Sequence, residues 1–218
     1  APFLSKATQV TFFDFTQKYS SKASSAIVPR IEIIKDNKEE RFRISGMAVF
    51  KKDKLVDWLN ETQTRGLLWV LGKVKGGILV VNAPDKKGKI SIEIKGSKSR
   101  IKPFFKEGRP VVLVELEGEG NIGELTVPVD ISKPETIRLI EKNIAAAIKG
   151  EIETALNFAR EHQTDFFGFG EAFHRKYPGA WKEMQAKWEE ELPGLEVQIA
   201  VKAKIREIGE TTQSIAPK

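Results

Sequence analysis

The chain has 218 residues, 40% of them hydrophobic, and carries 36 Lys+Arg against 30 Asp+Glu, a formal charge of +6 with an isoelectric point near 9.3. It contains no cysteine, which excludes disulfides, thiol catalysis and thiolate-ligated zinc or iron–sulfur centres. No apolar run approaches the roughly 20 residues a membrane-spanning helix needs, and Ala1-Pro2-Phe3 lacks the charged start and apolar core of a secretory signal.

Val10, Phe12 or Phe13, and Thr16 give residues 8–19 a weakly helical pattern, and the serine-rich stretch 20–25 reads as a flexible connection. Residues 1–25 are expected to be a residual segment or linker from a preceding lobe, and residues 26–218 a single α+β domain. Residues 30–35 alternate Ile31 and Ile33 with charge, as a half-buried strand does. Asp36-Asn37-Lys38 turns the chain, and residues 41–50 return with a change of apolar phase at Gly46 that predicts a bulge. After a short extended piece at 55–59, Asn60 and Gln63 form a capping box. The helix they open runs to about Leu71 and buries Leu67, Leu68 and Leu71. The apolar run 78–81 predicts a central strand. Ile90, Ile92 and Ile94 alternate with Ser91, Glu93 and Lys95. Gly96-Ser97 is expected to turn, and residues 100–105 to continue or return. Residues 110–117 and 125–129 are further strands.

Ser132-Lys133-Pro134-Glu135 has the spacing of a capping box and opens the longest helix, to about His162. Ile137, Ile140, Ile144, Ile148, Ile152, Leu156 and Ala159 step along it by threes and fours, an apolar stripe that needs a wide partner surface. Residues 195–205 alternate as one long last strand. Strands, a long helix and a returning strand predict an α+β fold: a twisted, largely antiparallel sheet packed against the long helix and two short aromatic-rich helices.

Those two helices lie in the stretch 164–195, TDFFGFGEAFHRKYPGAWKEMQAKWEEELPGL. Thr164 and Asp165 suit a helix start. Gly168 and Gly170, each costing about 1 kcal/mol against alanine in a helix, point to close backbone packing or a bend. Tyr177-Pro178-Gly179 breaks the chain, with Pro178 placed for the first turn of a second helix. On that helix Trp181 and Trp188 share one face by their seven-residue spacing. Asp165 is expected to cap or brace the segment and the two tryptophans to clamp it to the body, leaving His174, Arg175 and Lys176 as an exposed ridge. The four tryptophans read mostly as core, Trp58 and Trp69 flanking the capped helix.

Chemical motifs are sparse. Gly118-x-Gly120-x-x-Gly123 matches the dinucleotide fingerprint in letters, but a strand follows where a helix should. His162 and His174, the only histidines, fall on different elements, so helix-end and surface positions explain them better than a metal. No serine sits in a G-x-S-x-G elbow. Glu115, Glu117 and Glu119 share a strand parity that reads as a solvated face. The basic run from Lys86 to Lys106 lacks interleaved aromatics for stacking bases and reads as a lysine-rich sheet edge. No catalytic, cofactor-binding or metal residue is assigned.

D-F-F-G-F-G-E-A-F-H-R-K-Y-P followed by Trp181, Trp188 and an alternating strand reaching Gly209 resembles the C subunits of spore germination receptors, the Ger(x)C lipoprotein family. GMAVFKKDKLVDWLNETQTRGLLWVLGKVKGG (46–77) and Val28-Pro29-Arg30-Ile31-Glu32 agree in the family's order, so the resemblance covers residues 8–209. The signal peptide, lipidated cysteine and N-terminal domain with which family members begin are not in this sequence. The resemblance implies a non-enzymatic, extracytoplasmic subunit of a nutrient germinant receptor. It would be lipid-anchored on the outer face of the spore inner membrane beside two integral membrane subunits, and act in receptor assembly and germination signalling. The basic charge leaves a nucleic-acid-binding module as the alternative; a wall hydrolase would need two carboxylates facing a cleft, which the pattern does not place.

Overall fold

The computed structural model describes residues 5–36, 39–84 and 87–208; the turn expected at Asn37-Lys38, Lys86 of the basic run, and Gly209 lie outside them. The described residues form two sheets. In the first, β1 (Ala26–Asp36), β2 (Glu39–Lys51) and β3 (Lys54–Leu59) follow one another antiparallel in the order β1-β2-β3. Pairing of β1 with β2 slips between Pro29 and Ile31. The slip faces Ser45 and Gly46, whose φ is 108°, and so places the bulge where the apolar phase changes.

The second sheet has the order β4-β5-β6-β7 and contains β4 (Ile78–Asn82), β5 (Lys89–Lys106), β6 (Arg109–Leu125) and β7 (Glu196–Ile208). Its first three strands are antiparallel, whereas β7 returns parallel to β6. The chain between them holds α3 (Pro134–Glu161), α4 (Phe169–Lys176), α5 (Pro178–Met184), α6 (Trp188–Glu191) and a 3₁₀ turn at Leu192–Gly194. Two more helices precede: α1 (Phe12–Tyr19), capped by Thr11 and Asp14, and α2 (Glu61–Val70), capped by Asn60 and Gln63 as expected.

The stripe on α3 packs against the second sheet. Ile140, Ile144, Ile148, Ile152, Leu156 and Ala159 are buried, with Ile137 half-buried. The helix reaches both edges of the sheet: Asn143 donates to the Asn82 carbonyl on β4 at 2.9 Å, and Glu141 accepts the Ile205 N–H on β7 at 3.1 Å. Helix α2 lies across α3, where a Cβ on Gly66 would stand 2.1 Å from the Glu151 carbonyl oxygen. One continuous core joins Ile27, Met47, Val49 and Leu59 of the first sheet to the second sheet and the helices.

Several local readings change. Residues 78–82 form an edge strand with Ile78 and Val80 facing out. Gly96-Ser97 does not turn: both residues pair with β6 inside a continuous β5, just after a register slip between Ile94 and Gly96, and residues 125–129 are not a separate strand, because β6 already runs through Leu125. The Ser132 hydroxyl donates to Asp130 at 2.6 Å instead of capping α3, whose N-cap residue, Lys133, makes no side-chain cap. Ile31 and Ile33 are not half-buried: they are 64% and 62% exposed, and Phe42 is 82% exposed. Ile31 faces Ile44 and Ile33 faces Phe42 across the pair. The outer part of β1–β2 extends past the end of β3 as a ribbon whose apolar face has no layer over it among the described residues. Trp58 is 39% exposed, with the Arg30 guanidinium 4.8 Å above its ring.

Candidate functional site

The stretch 164–195 begins where α3 ends. Gln163 takes a left-handed φ of 51°, and the Thr164 N–H returns to the Ala159 carbonyl at 3.0 Å, a helix-closing turn that glycine usually makes. That turn carries Thr164 and Asp165 into the interior, where both are buried. Asp165 Oδ1 accepts the backbone N–H groups of Gly168 (2.9 Å) and Phe169 (3.1 Å). Oδ2 accepts the N–H of Gly170 (2.7 Å) and the indole N–H of Trp188 (3.0 Å). All four acceptor positions of the carboxylate are thus filled by N–H donors. Burial pushes the Asp165 carboxyl above its ordinary value, opposed by the Gly170, Trp188, Phe169 and Gly168 donors.

Asp165 therefore braces α4 from inside. The N-cap position itself belongs to Gly168, at φ 80°, a left-handed conformation that favours glycine. Gly170 is needed for space: a Cβ there would lie 2.5 Å from the Ala23 carbonyl oxygen and 2.8 Å from atoms of Trp181 and Trp188. The serine-rich stretch, expected to be flexible, is tied into this arrangement. Ser25 N–H donates to the Asp165 carbonyl at 2.8 Å, and the Ser24 hydroxyl donates to Glu171 at 2.5 Å.

Trp181 and Trp188 are both buried and their rings meet edge-on at 5.4 Å. They do not share one helix. Residues 185–187 separate α5 from α6, and the break turns the Trp188 indole toward Asp165. Pro178 opens α5, and Tyr177 and Phe173 join the segment to Phe105 of β5 at centroid distances of 5.1 and 5.6 Å. These contacts fix the ridge. His174, Arg175 and Lys176 are exposed; the His174 ring lies 6.1 Å from Trp181 and stacks on it. Lys176 donates to the Pro103 carbonyl at 2.9 Å.

A second buried polar centre escaped the sequence reading. Glu151 of α3 takes the Arg65 guanidinium on both oxygens, the Nε contact being 2.8 Å, and the indole N–H of Trp69 at 2.9 Å. Arg65 also donates to the Ile78 carbonyl at 3.1 Å, so this cluster ties α2, α3 and β4 together. Its signal was available. Glu151 stands three residues after Ile148 and four before Ala155, on the buried face of α3, and Arg65 is the one basic residue of α2.

The remaining motifs separate. Gly118, Gly120 and Gly123 lie inside β6, whose register with β7 slips between Gly120 and Ile122. His162 caps the C-terminal end of α3 and His174 sits on α4. No three metal-ligating side chains gather among the described residues. β4 pairs with β5 only over Lys89–Glu93, so Lys98, Arg100, Lys102 and Lys106 pair with β6 alone and, among the described residues, lie on an open stretch of the sheet edge, whereas Lys89 lies between two strands. Lys98, Arg100 and Lys102 face Glu117, Glu115 and Leu113 across the ladder, and Lys102 pairs with Glu115 at 2.7 Å. None of the described helices is long and apolar enough to cross a membrane.

Residues 45–209 match the family described as "Spore germination B3/ GerAC like, C-terminal". The chain is 24% identical to "Spore germination protein KC" of Bacillus subtilis (strain 168), an alignment covering 94% of this chain and 54% of that protein. It is 30% identical to "Spore germination protein YndF" of the same organism, over 77% of this chain and 42% of the relative. The crystal structure of the GerBC protein is similar with a TM-score of 0.76 at 21% identity, covering 92% of this chain and 65% of that one; at that identity the likeness concerns the fold. The chain spans about half the length of the curated relatives it matches.

Proposed function

Because this chain belongs to the spore germination B3/GerAC-like C-terminal family, we propose that it serves bacterial spore germination as the C-terminal part of a germinant receptor C subunit. It catalyses no reaction. Its task is assembly and signalling: it presents a rigid surface to the two integral membrane subunits, on the outer face of the spore inner membrane. A lipid anchor in the full-length protein holds it there and raises its local concentration. A single acyl chain binds only marginally, so contacts with the partner subunits complete the attachment.

The observation that carries this reading is the family match across residues 45–209. The geometry supports a docking role through the ridge His174, Arg175 and Lys176, whose backbone is fixed by Asp165, Trp181 and Trp188 beneath it. The test is to replace the ridge by His174→Ala, Arg175→Glu and Lys176→Ala in a spore-forming host. The expected result is a melting temperature of the purified chain within a few degrees of the parent's, the small loss coming from the His174–Trp181 stacking and the Lys176–Pro103 hydrogen bond, together with reduced co-capture of the membrane subunits and slower germination. Normal assembly and germination with the ridge replaced would overturn its role.

A further inference from the structure

Beside the Asp165 segment a cavity of about 410 Å³ opens where separate stretches meet. The end of α1 gives it Lys18, the serine-rich stretch Lys22, and the β2–β3 turn Lys51 and Lys52. Two carboxylates from the α6 side, Glu189 and Glu190, share the lining, and Glu189 is taken up by Lys51 at 3.0 Å. Among the described residues Lys18, Lys22 and Lys52 have no carboxylate within ion-pairing distance. The Ser21 hydroxyl accepts the Ala23 N–H at 2.9 Å and keeps its own proton to donate.

A second, independent observation concerns the backbone. Lys52, at φ 55°, and Gln163, at φ 51°, are two of the four non-glycine residues with left-handed φ among the described residues, and both line this cavity. Lys52 sits in the tight turn between the paired residues Lys51 and Lys54; Gln163 closes α3. Glycine would take either place without strain. A cation and a carboxamide stand there instead, both polar and both facing one cavity, which is how backbone strain is distributed around binding sites.

The chemistry of the lining selects the ligand class. Ammonium groups are compact charges with three donors each, suited to a tetrahedral oxyanion, and no arginine fork is present to prefer a planar carboxylate. Tyr19 is the one aromatic residue of the lining, so there is no pair of rings to sandwich a base. We infer that this cavity binds a phosphate-bearing anion, either free or as a lipid headgroup. The inference stands on the cavity alone and does not depend on the germination reading.

The experiment titrates the whole chain calorimetrically with inorganic phosphate and with pyrophosphate. In parallel the chain is sedimented with vesicles of phosphatidylglycerol and of phosphatidylcholine. Saturable binding to the free anions, or to phosphatidylglycerol vesicles over phosphatidylcholine, is expected, and which of them binds identifies the source. Lys22→Ala combined with Lys52→Gly should weaken that binding by about tenfold or more, as loss of charge-assisted hydrogen bonds does. The same variant should melt no lower than the parent, because Lys52→Gly relieves the left-handed turn. Lys18→Ala serves as a second variant from a different stretch, and Glu190→Gln should tighten binding. No saturable binding to any of these probes, or full binding retained in the lysine variants, overturns the site.

Discussion

Asp165 and Glu151 are both buried carboxylates that accept an indole N–H, from Trp188 at 3.0 Å and from Trp69 at 2.9 Å. They are stabilised in different ways. Glu151 faces a full opposite charge, the Arg65 guanidinium, brought by another helix. Asp165 is held by dipoles alone: three backbone N–H groups from the five residues that follow it, and the indole. A side-chain partner can be exchanged together with the group it serves. A backbone partner cannot, because the N–H groups remain whatever side chain replaces the acid. The Glu151 cluster is therefore a replaceable clamp, whereas Asp165 specifies the shape of the chain around it.

The largest effect that tests this contrast is expected from Trp188→Ala. It removes a buried ring and one Asp165 donor at once, and should cost about 3–5 kcal/mol in denaturant unfolding. A loss below about 1 kcal/mol would fall in the range of surface substitutions and show that the segment is not clamped as described. Next, Glu151→Ala should cost about 2–4 kcal/mol, near the lower end for a broken buried pair because Arg65 keeps some contact with water. Replacing Arg65 and Glu151 together by methionine should recover much of that loss. If the double replacement is as damaging as the single one, the clamp is not replaceable and the contrast fails.

Asp165→Asn should cost about 1–3 kcal/mol, since an amide offers one oxygen and turns its own N–H groups toward two of the donors. No second substitution should rescue it. The pH dependence has a definite sign. Burial raises the folded-state carboxyl above its ordinary value, so between the unfolded and folded values the folded state binds more protons. Stability contributed by this group is then present at low pH and falls as pH rises through that interval. The stability difference between the parent chain and Asp165→Asn should narrow as pH rises from about 4, when both are followed by denaturant unfolding. A difference that widens would show that the four donors outweigh burial. The smallest effect is a gain: Gln163→Gly, at the turn that leads into Asp165, should stabilise by roughly 0.5–1 kcal/mol.

The same contrast explains what could be read from the sequence. Three of the four partners of Asp165 lie three to five residues downstream, so a Thr-Asp pair before a glycine-interrupted phenylalanine run already announces the brace. The partners of Glu151 lie 82 and 86 residues away, and no local pattern links them. Periodicity found α3 and its sheet-facing stripe, but it does not distinguish an edge strand from a central one. Hence Ile78 and Val80, taken as interior, face outward. Alternation placed Ile31 and Ile33 on one face of a strand without saying whether anything covers that face. The spacing of Trp181 and Trp188 showed that both are buried, but not that the helix breaks between them to turn an indole toward Asp165. Ser132 had the letters of a helix cap, and a nearer carboxylate, Asp130, took its hydroxyl.

The parallel register of β6 and β7, from Val111–Glu196 to Ile122–Ile208, has a consequence for the timing of folding. Every helix from α3 onward lies between the two strands in the chain, so a long loop must close before the first of these contacts forms. Contacts so remote in sequence slow folding. During synthesis β5 and β6 can pair as soon as they emerge, while the outer edge of β6 stays open until almost the whole chain has been made. A polypeptide halted before residue 196 would carry that unpaired edge and an incompletely covered α3, both of which invite association with other nascent chains. The last thirteen-residue strand thus decides when the molecule becomes safe from its neighbours.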